Sequence, residues 1–188
     1  MKKVLVAVVA VLLVSVSASA FAAQGMGKGA KEVSAFASIS STDSSAQNTY
    51  YGSSMDTKSS DQTLSLGFSY FLTDPISLGA RIDEMMSKQS GSKFSTTFVQ
   101  VEGKFHFYRK GQPVIPYAGL SLGAAMTEVA GDSSVGALFQ PKAGVKMFLS
   151  ENVAANVELN YSIYQSSIGG IDMTNKTLKL QAGLSMFF

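Results

Sequence analysis

The chain of 188 residues has no cysteine, no tryptophan, one histidine and four prolines. Without cysteine there is no disulfide scaffold, no thiolate metal site, no thiol nucleophile and no lipid-modified N-terminal Cys. Charge is also scarce. Charged residues make up 15% of the chain, well below the roughly 25% of ordinary soluble domains. The formal net charge is only +2, so no basic surplus points to nucleic acid, and none is expected as a partner. Beyond the N-terminus, no apolar run reaches the 18 or so residues of a membrane helix.

The one long apolar run comes first. Lys2 and Lys3 precede the apolar residues 4–14, followed by "SVSASAFAAQ". A positive start, a short apolar core and small residues before a polar one make a secretory signal peptide over residues 1–22. Ala20-Phe21-Ala22 fits the cleavage site, and Ala18-Ser19-Ala20 competes with it. An uncleaved anchor is disfavoured, because the run is short for a bilayer. The expected plan is a cleaved signal peptide, a short periplasmic lead over 23–30, and a barrel over 31–188.

What the chain has in abundance is period-two alternation, the mark of half-buried strands. Val33, Ala35, Ala37 and Ile39 alternate with Ser34, Ser38 and Ser40. Leu178, Leu180, Ala182, Leu184, Met186 and Phe188 alternate with Thr177, Lys179, Gln181, Gly183, Ser185 and Phe187. Six similar segments lie between, which predicts eight antiparallel strands in an up-and-down barrel. Short turns are expected at "TDPIS", "RKGQPV" and "LSEN", and longer polar loops over 41–62, 87–93, 128–136 and 165–175. Short turns at one end and long loops at the other match a transmembrane barrel whose turns face the periplasm. A hairpin occurs twice: "GFSYFLTDPISLGARID" aligns without gaps on "GVKMFLSENVAANVELN". Phe71 and Phe148, equivalent in the two copies, are expected to plug the periplasmic floor.

Alternation alone also permits a soluble barrel with the apolar face inside. Three features favour the opposite assignment. The polar parity holds Gly67, Gly79, Gly119, Gly123, Gly144 and Gly183, which suits a crowded lumen better than an exposed strand. The apolar parity carries hardly a charge, as a lipid-facing band requires. The charges on the polar parity come in both signs. Arg81, Asp83, Glu102, Lys104, Lys142, Lys146, Glu158 and Lys179 are expected to form one lumen network, with Gln100, Gln140 and Gln181 in its gaps. Folding about the turns sets Lys142 and Lys179 near Glu158, and Arg81 near Glu102. An eight-stranded barrel is just wide enough to be filled by side chains, so the network is expected to close the lumen. A gated narrow channel is the competing reading.

The stretches "VIPYAGLSLGAA", "FQPKAGVKMFLSENVAANVELNY" and "LKLQAGLSMFF" resemble the small outer-membrane β-barrel proteins of OmpA/OmpX type. That resemblance implies insertion into a bacterial outer membrane by a barrel-assembly machinery. It also implies that the terminal strand carries the assembly signal, here Leu184, Met186 and Phe188. The family includes structural barrels, adhesins, factors that resist host defences and narrow pores. The aromatic girdle departs from the pattern: Tyr70, Phe105, Phe107 and Phe188 mark mainly one rim.

Catalytic candidates are few. His106 is the only histidine, and any Ser–His device would have to use it; its parity points into the lumen near Tyr108 and Tyr117, where packing explains it. Asp83-Glu84 beside Met85-Met86 could suggest a cation site, but hard cations need several converging oxygens, and solvated strand-end charges explain the pair better. "QGMGKGA" lacks the context of a phosphate loop. No catalytic residue, metal or cofactor is therefore expected. The expected function is a non-enzymatic outer-membrane barrel, structural or binding a host or surface ligand through its loops. A narrow porin-like channel is the alternative, and a lipid-A-modifying enzyme stands third.

Overall fold

A computed structural model describes residues 26–47, 54–89, 92–107, 112–129, 132–168 and 171–188. The signal peptide expected over 1–22 lies outside the described residues. Eight strands follow in order: β1 Lys31–Gln47, β2 Ser54–Phe71, β3 Ile76–Gln89, β4 Ser92–His106, β5 Val114–Val129, β6 Asp132–Phe148, β7 Val153–Ile168 and β8 Ile171–Phe187. Each is antiparallel to its neighbours, and β1 pairs with β8 to close the barrel. Closure removes the free sheet edges that an apolar surface could not leave unpaired. Lys31 and Phe188 lock the seam, exchanging backbone bonds of 2.8 and 3.0 Å.

The apolar parity faces outward. Leu64, Leu66, Val101 and Leu180 are all at least 60% exposed, while the polar parity is buried in the lumen. A soluble barrel would show the reverse. The repeated hairpin is also real at the level of single bonds. In the first copy Leu72 and Thr73 donate their backbone N–H groups to the Ile76 carbonyl; in the second Leu149 and Ser150 donate to the Val153 carbonyl.

The expected loops are a correction. Residues 41–47, 54–62, 87–89, 92–93, 128–129, 132–136, 165–168 and 171–175 are strand, paired into continuous hairpins. Only 48–53, 90–91, 130–131 and 169–170 remain as connections there, outside the described residues. The two ends therefore differ less by loop length than by how far the strands extend. A strand needs about 9–11 residues to cross the hydrocarbon, and these have 14 to 18. Outward positions turn polar in the surplus, at Ser41, Asp43, Ser45, Glu128, Ser133, Gln165 and Lys176. Loss of apolar alternation marked the end of the lipid band, not the end of the ladder. Backbone pairing needs no apolar side chain.

Glycines on the lumen parity stand where something else occupies the Cβ position. A Cβ on Gly144 would lie 2.7 Å from the Tyr117 ring and hydroxyl and 2.6 Å from the Val157 carbonyl. On Gly183 it would meet the Phe36 ring at 2.6 Å. Gly144→Ala is expected to cost about 1–3 kcal/mol, the usual penalty of overpacking. Urea unfolding followed by far-ultraviolet circular dichroism in micelles measures it.

Candidate functional site

The lumen is the candidate site, and successive inward positions of the eight strands build it in four layers. The first, at the end where the chain termini lie, is apolar: Phe71, Ile115, Phe148, Ala154 and Phe187 pack with Met26. Phe187 stands 5.2 Å from Phe148 and 6.2 Å from Phe71, ring to ring. Phe71 and Phe148 are thus in the buried floor. Phe187, on the lumen parity of β8, and Met26, from the lead, join them and were not expected there. Met26 reaches the floor because the lead folds beneath it. Gly29 adopts φ of 91°, a conformation suited to glycine, and donates its N–H to the Phe71 carbonyl at 2.8 Å.

The second layer is a belt of charge. Arg81, Lys104, Lys142, Lys146 and Lys179 face Glu32, Asp83, Glu102 and Glu158, none more than 5% exposed. Arg81 donates Nε to Asp83 at 2.7 Å and Nη1 to Glu158 at 2.9 Å. Lys179 reaches the other Asp83 oxygen at 3.0 Å, beside a Gln100 amide at 3.1 Å. Glu158 also accepts from the Tyr117 hydroxyl at 2.7 Å and from Gln181. Glu102 sits between Lys104 at 2.6 Å and Lys142 at 2.7 Å. Lys146 pairs with Glu32, which Ser185 also serves.

The expected residues all line the lumen, but their partners differ. Lys142 lies opposite Asn160, and Glu158 opposite Gly144, so that pair misses by two positions. Lys179 also faces Asn160, and Arg81 faces Gln100. Lys179–Asp83 and Arg81–Glu158 span the lumen, and Lys142–Glu102 reaches over β5, instead of joining adjacent strands. Lysine and arginine stems are long enough to cross a barrel this narrow, so the strongest partner need not be the cross-strand one. Gln140, expected to fill a gap, has no hydrogen-bond partner. Glu32 was missed because the apolar alternation begins only at Val33. Its signal is its even parity with Ser34.

Above the belt lies a second apolar layer of Met85, Phe98, Ala125, Leu138 and Tyr164. Phe98 and Tyr164 meet edge to face at 5.1 Å. The outermost layer is polar. Thr42 bonds Asp61 and lies 2.8 Å from Thr177, Thr96 lies 3.2 Å from Thr127, and Ser44 donates to Asn175 at 2.7 Å.

His106 is fully buried near the floor, its Nε2 3.0 Å from the Ser77 hydroxyl. Phe71 and Tyr117 flank the ring at 5.0 and 5.6 Å, and Nδ1 has no partner. A working Ser–His pair needs an orienting third group and access to substrate; among the described residues this one has neither. Tyr108, expected nearby, lies outside the described residues. The Asp83-Glu84 pair is not solvated as expected. Asp83 is fully buried in the belt, while Glu84 points outward and accepts from Ser95 and, at 2.7 Å, from Thr97. The two carboxylates diverge, so they share no cation.

A closed eight-stranded barrel with apolar skin and polar filling defines a membrane-spanning outer-membrane protein. The sequence profile of the outer membrane protein beta-barrel domain family matches residues 7–185, and the chain belongs to that family. It is a protein of the bacterial outer membrane. No curated protein matches it in sequence. The barrel is similar to OprG from Pseudomonas aeruginosa, with TM-score 0.58 at 14% identity, covering 88% of this chain and 98% of that one. Neisserial surface protein A gives TM-score 0.54 at 19% identity, covering 85% and 99%. The N-terminal barrel domain of Pseudomonas aeruginosa OprF gives 0.55 at 16%, covering 87% and 100%. At such identities the likeness establishes the fold.

Proposed function

We propose that this barrel is closed and non-enzymatic, serving the outer membrane as a structural wall that carries projecting hairpins for contact with a host or surface ligand. The observation that carries this reading is the double seal. The charge belt lies between two apolar layers, so an ion would have to cross both without water. The enclosed Ser77–His106 pair supports a non-enzymatic role. In this reading the terminal end faces the periplasm and the polar hairpins face outward. Leu184, Met186 and Phe188 form an outward stripe on β8 that the assembly machinery would read, and Phe71 and Phe148 serve as the periplasmic plug.

Proteoliposomes of the wild type are expected to swell in small sugars no faster than protein-free vesicles. Shortening the β1–β2 hairpin should abolish adhesion to host cells or matrix while the heat-modifiable gel shift persists. Swelling by the wild type that hairpin shortening leaves unchanged would instead establish the narrow channel.

A further inference from the structure

Glu84 breaks the apolar pattern of the lipid-facing surface. The outward positions before and after it on β3 are Ile82 and Met86, both more than half exposed. Across the ladders it faces Leu64 of β2, also more than half exposed, and Thr97 of β4, which in turn faces Met126 of β5. A carboxylate is thus set into the apolar skin. The polar rim begins one outward position farther along, where Gln62 lies opposite Met86 and Glu128 opposite Ser95. That depth is the junction between headgroup and acyl chain. Ionisable side chains within a membrane are costly, ordinarily face the protein interior and mark functional sites. This one faces lipid.

Its local bonds define what it can bind. Ser95 donates its hydroxyl to one Glu84 oxygen, and Thr97 donates to the other at 2.7 Å. Both hydroxyl hydrogens are thereby committed, so the patch offers only acceptors outward. A carboxylate has about four acceptor positions, and these two bonds leave half of them open. A phospholipid presents ester carbonyls at this depth; they are acceptors too, and gain nothing here. We propose that Glu84, Ser95 and Thr97 form a binding site for an outer-leaflet glycolipid whose sugar-proximal acyl chains carry amide N–H and hydroxyl donors, the chemistry of lipid A. Those donors reach the open positions of the Glu84 carboxylate. The chains continue over Ile82 and Val99, which pair across β3 and β4 in the apolar band. The site is continuous with the surface that lipid already covers, and it selects one kind of lipid by its donors.

The proposal rests on the orientation given above, with the polar hairpins outside, and the two are tested apart. The chain has no cysteine, so Ser133→Cys supplies a single thiol on an outward hairpin position, which a membrane-impermeant maleimide should label in intact cells. Labelling only after the outer membrane is permeabilised would overturn the orientation and the site with it. For the site itself, protein extracted from outer membranes in mild detergent is titrated with lipid A or with phosphatidylglycerol and read by native mass spectrometry. The wild type should bind lipid A about tenfold more tightly than Glu84→Leu, the worth of one charge-assisted hydrogen bond. Glu84→Leu should keep the heat-modifiable shift and an unchanged or higher urea midpoint, which separates lost binding from lost folding. Equal lipid A affinity in the two proteins would overturn the site and leave the orientation standing. Phosphatidylglycerol bound as tightly as lipid A, or lipid A binding that collapses in EDTA, would overturn the donor chemistry, the latter in favour of a bridging divalent cation.

Discussion

Arg81→Met should lower the unfolding free energy by about 3–5 kcal/mol, the range for removing one partner of a buried ion pair. Arg81 is 2% exposed and holds two carboxylates at once, Asp83 at 2.7 Å and Glu158 at 2.9 Å. Its loss leaves Glu158 with neutral donors only, Tyr117 and Gln181, and Asp83 with Lys179 and the Gln100 amide. Lysine should not rescue it, because a single ammonium cannot reproduce the guanidinium fork between two carboxylates. Lys104→Met makes the contrast: Glu102 keeps Lys142 at 2.7 Å, so the loss should be clearly smaller. The measurement is urea unfolding by far-ultraviolet circular dichroism, since the chain has no tryptophan to report by fluorescence. Equal effects of the two substitutions would refute the bridging role given to Arg81.

The second large effect belongs to the outer face. Val101 is 64% exposed and lies between Ala80 and Leu122 in the apolar band. Val101→Arg should destabilise the barrel in lipid by about 2–4 kcal/mol, the cost of a cation at the bilayer midplane. Val135→Arg, at an equally exposed position beside the polar rim at Ser133, should cost about 0–1 kcal/mol, as near an interface. The ratio of the two costs, from refolding equilibria into vesicles, places the band in the membrane. Equal and negligible costs would mean that the band does not lie in hydrocarbon.

The same rule made one part of the fold legible and concealed another. A lipid-facing residue must be apolar, so eight stretches of alternation showed eight strands and the side of each that faces outward. The rule is silent beyond the hydrocarbon, where an outward serine is as acceptable as an outward leucine. The serine- and threonine-rich segments 41–47 and 54–62 therefore read as loops, although the ladder runs through them. Glu32 lay just before the first apolar alternation and escaped the charge network for a similar reason. Phe187 escaped the floor because the repeated hairpin singled out only Phe71 and Phe148, and the last strand lies outside that repeat.

By itself the sequence determined the strand number, the two faces, the repeated hairpin and the composition of the lumen. These depend on the nearest surroundings of each residue, lipid on one side and packed polar groups on the other, which repeat every second position. Only the tertiary structure decided which charges meet, where the apolar seals lie and how the lead reaches the floor. Those contacts join strands across the lumen: Arg81 meets Glu158 over 77 positions of chain, and Lys146 meets Glu32 over 114. No periodicity along the chain encodes the distance between opposite walls. That distance exists only once β8 has paired with β1.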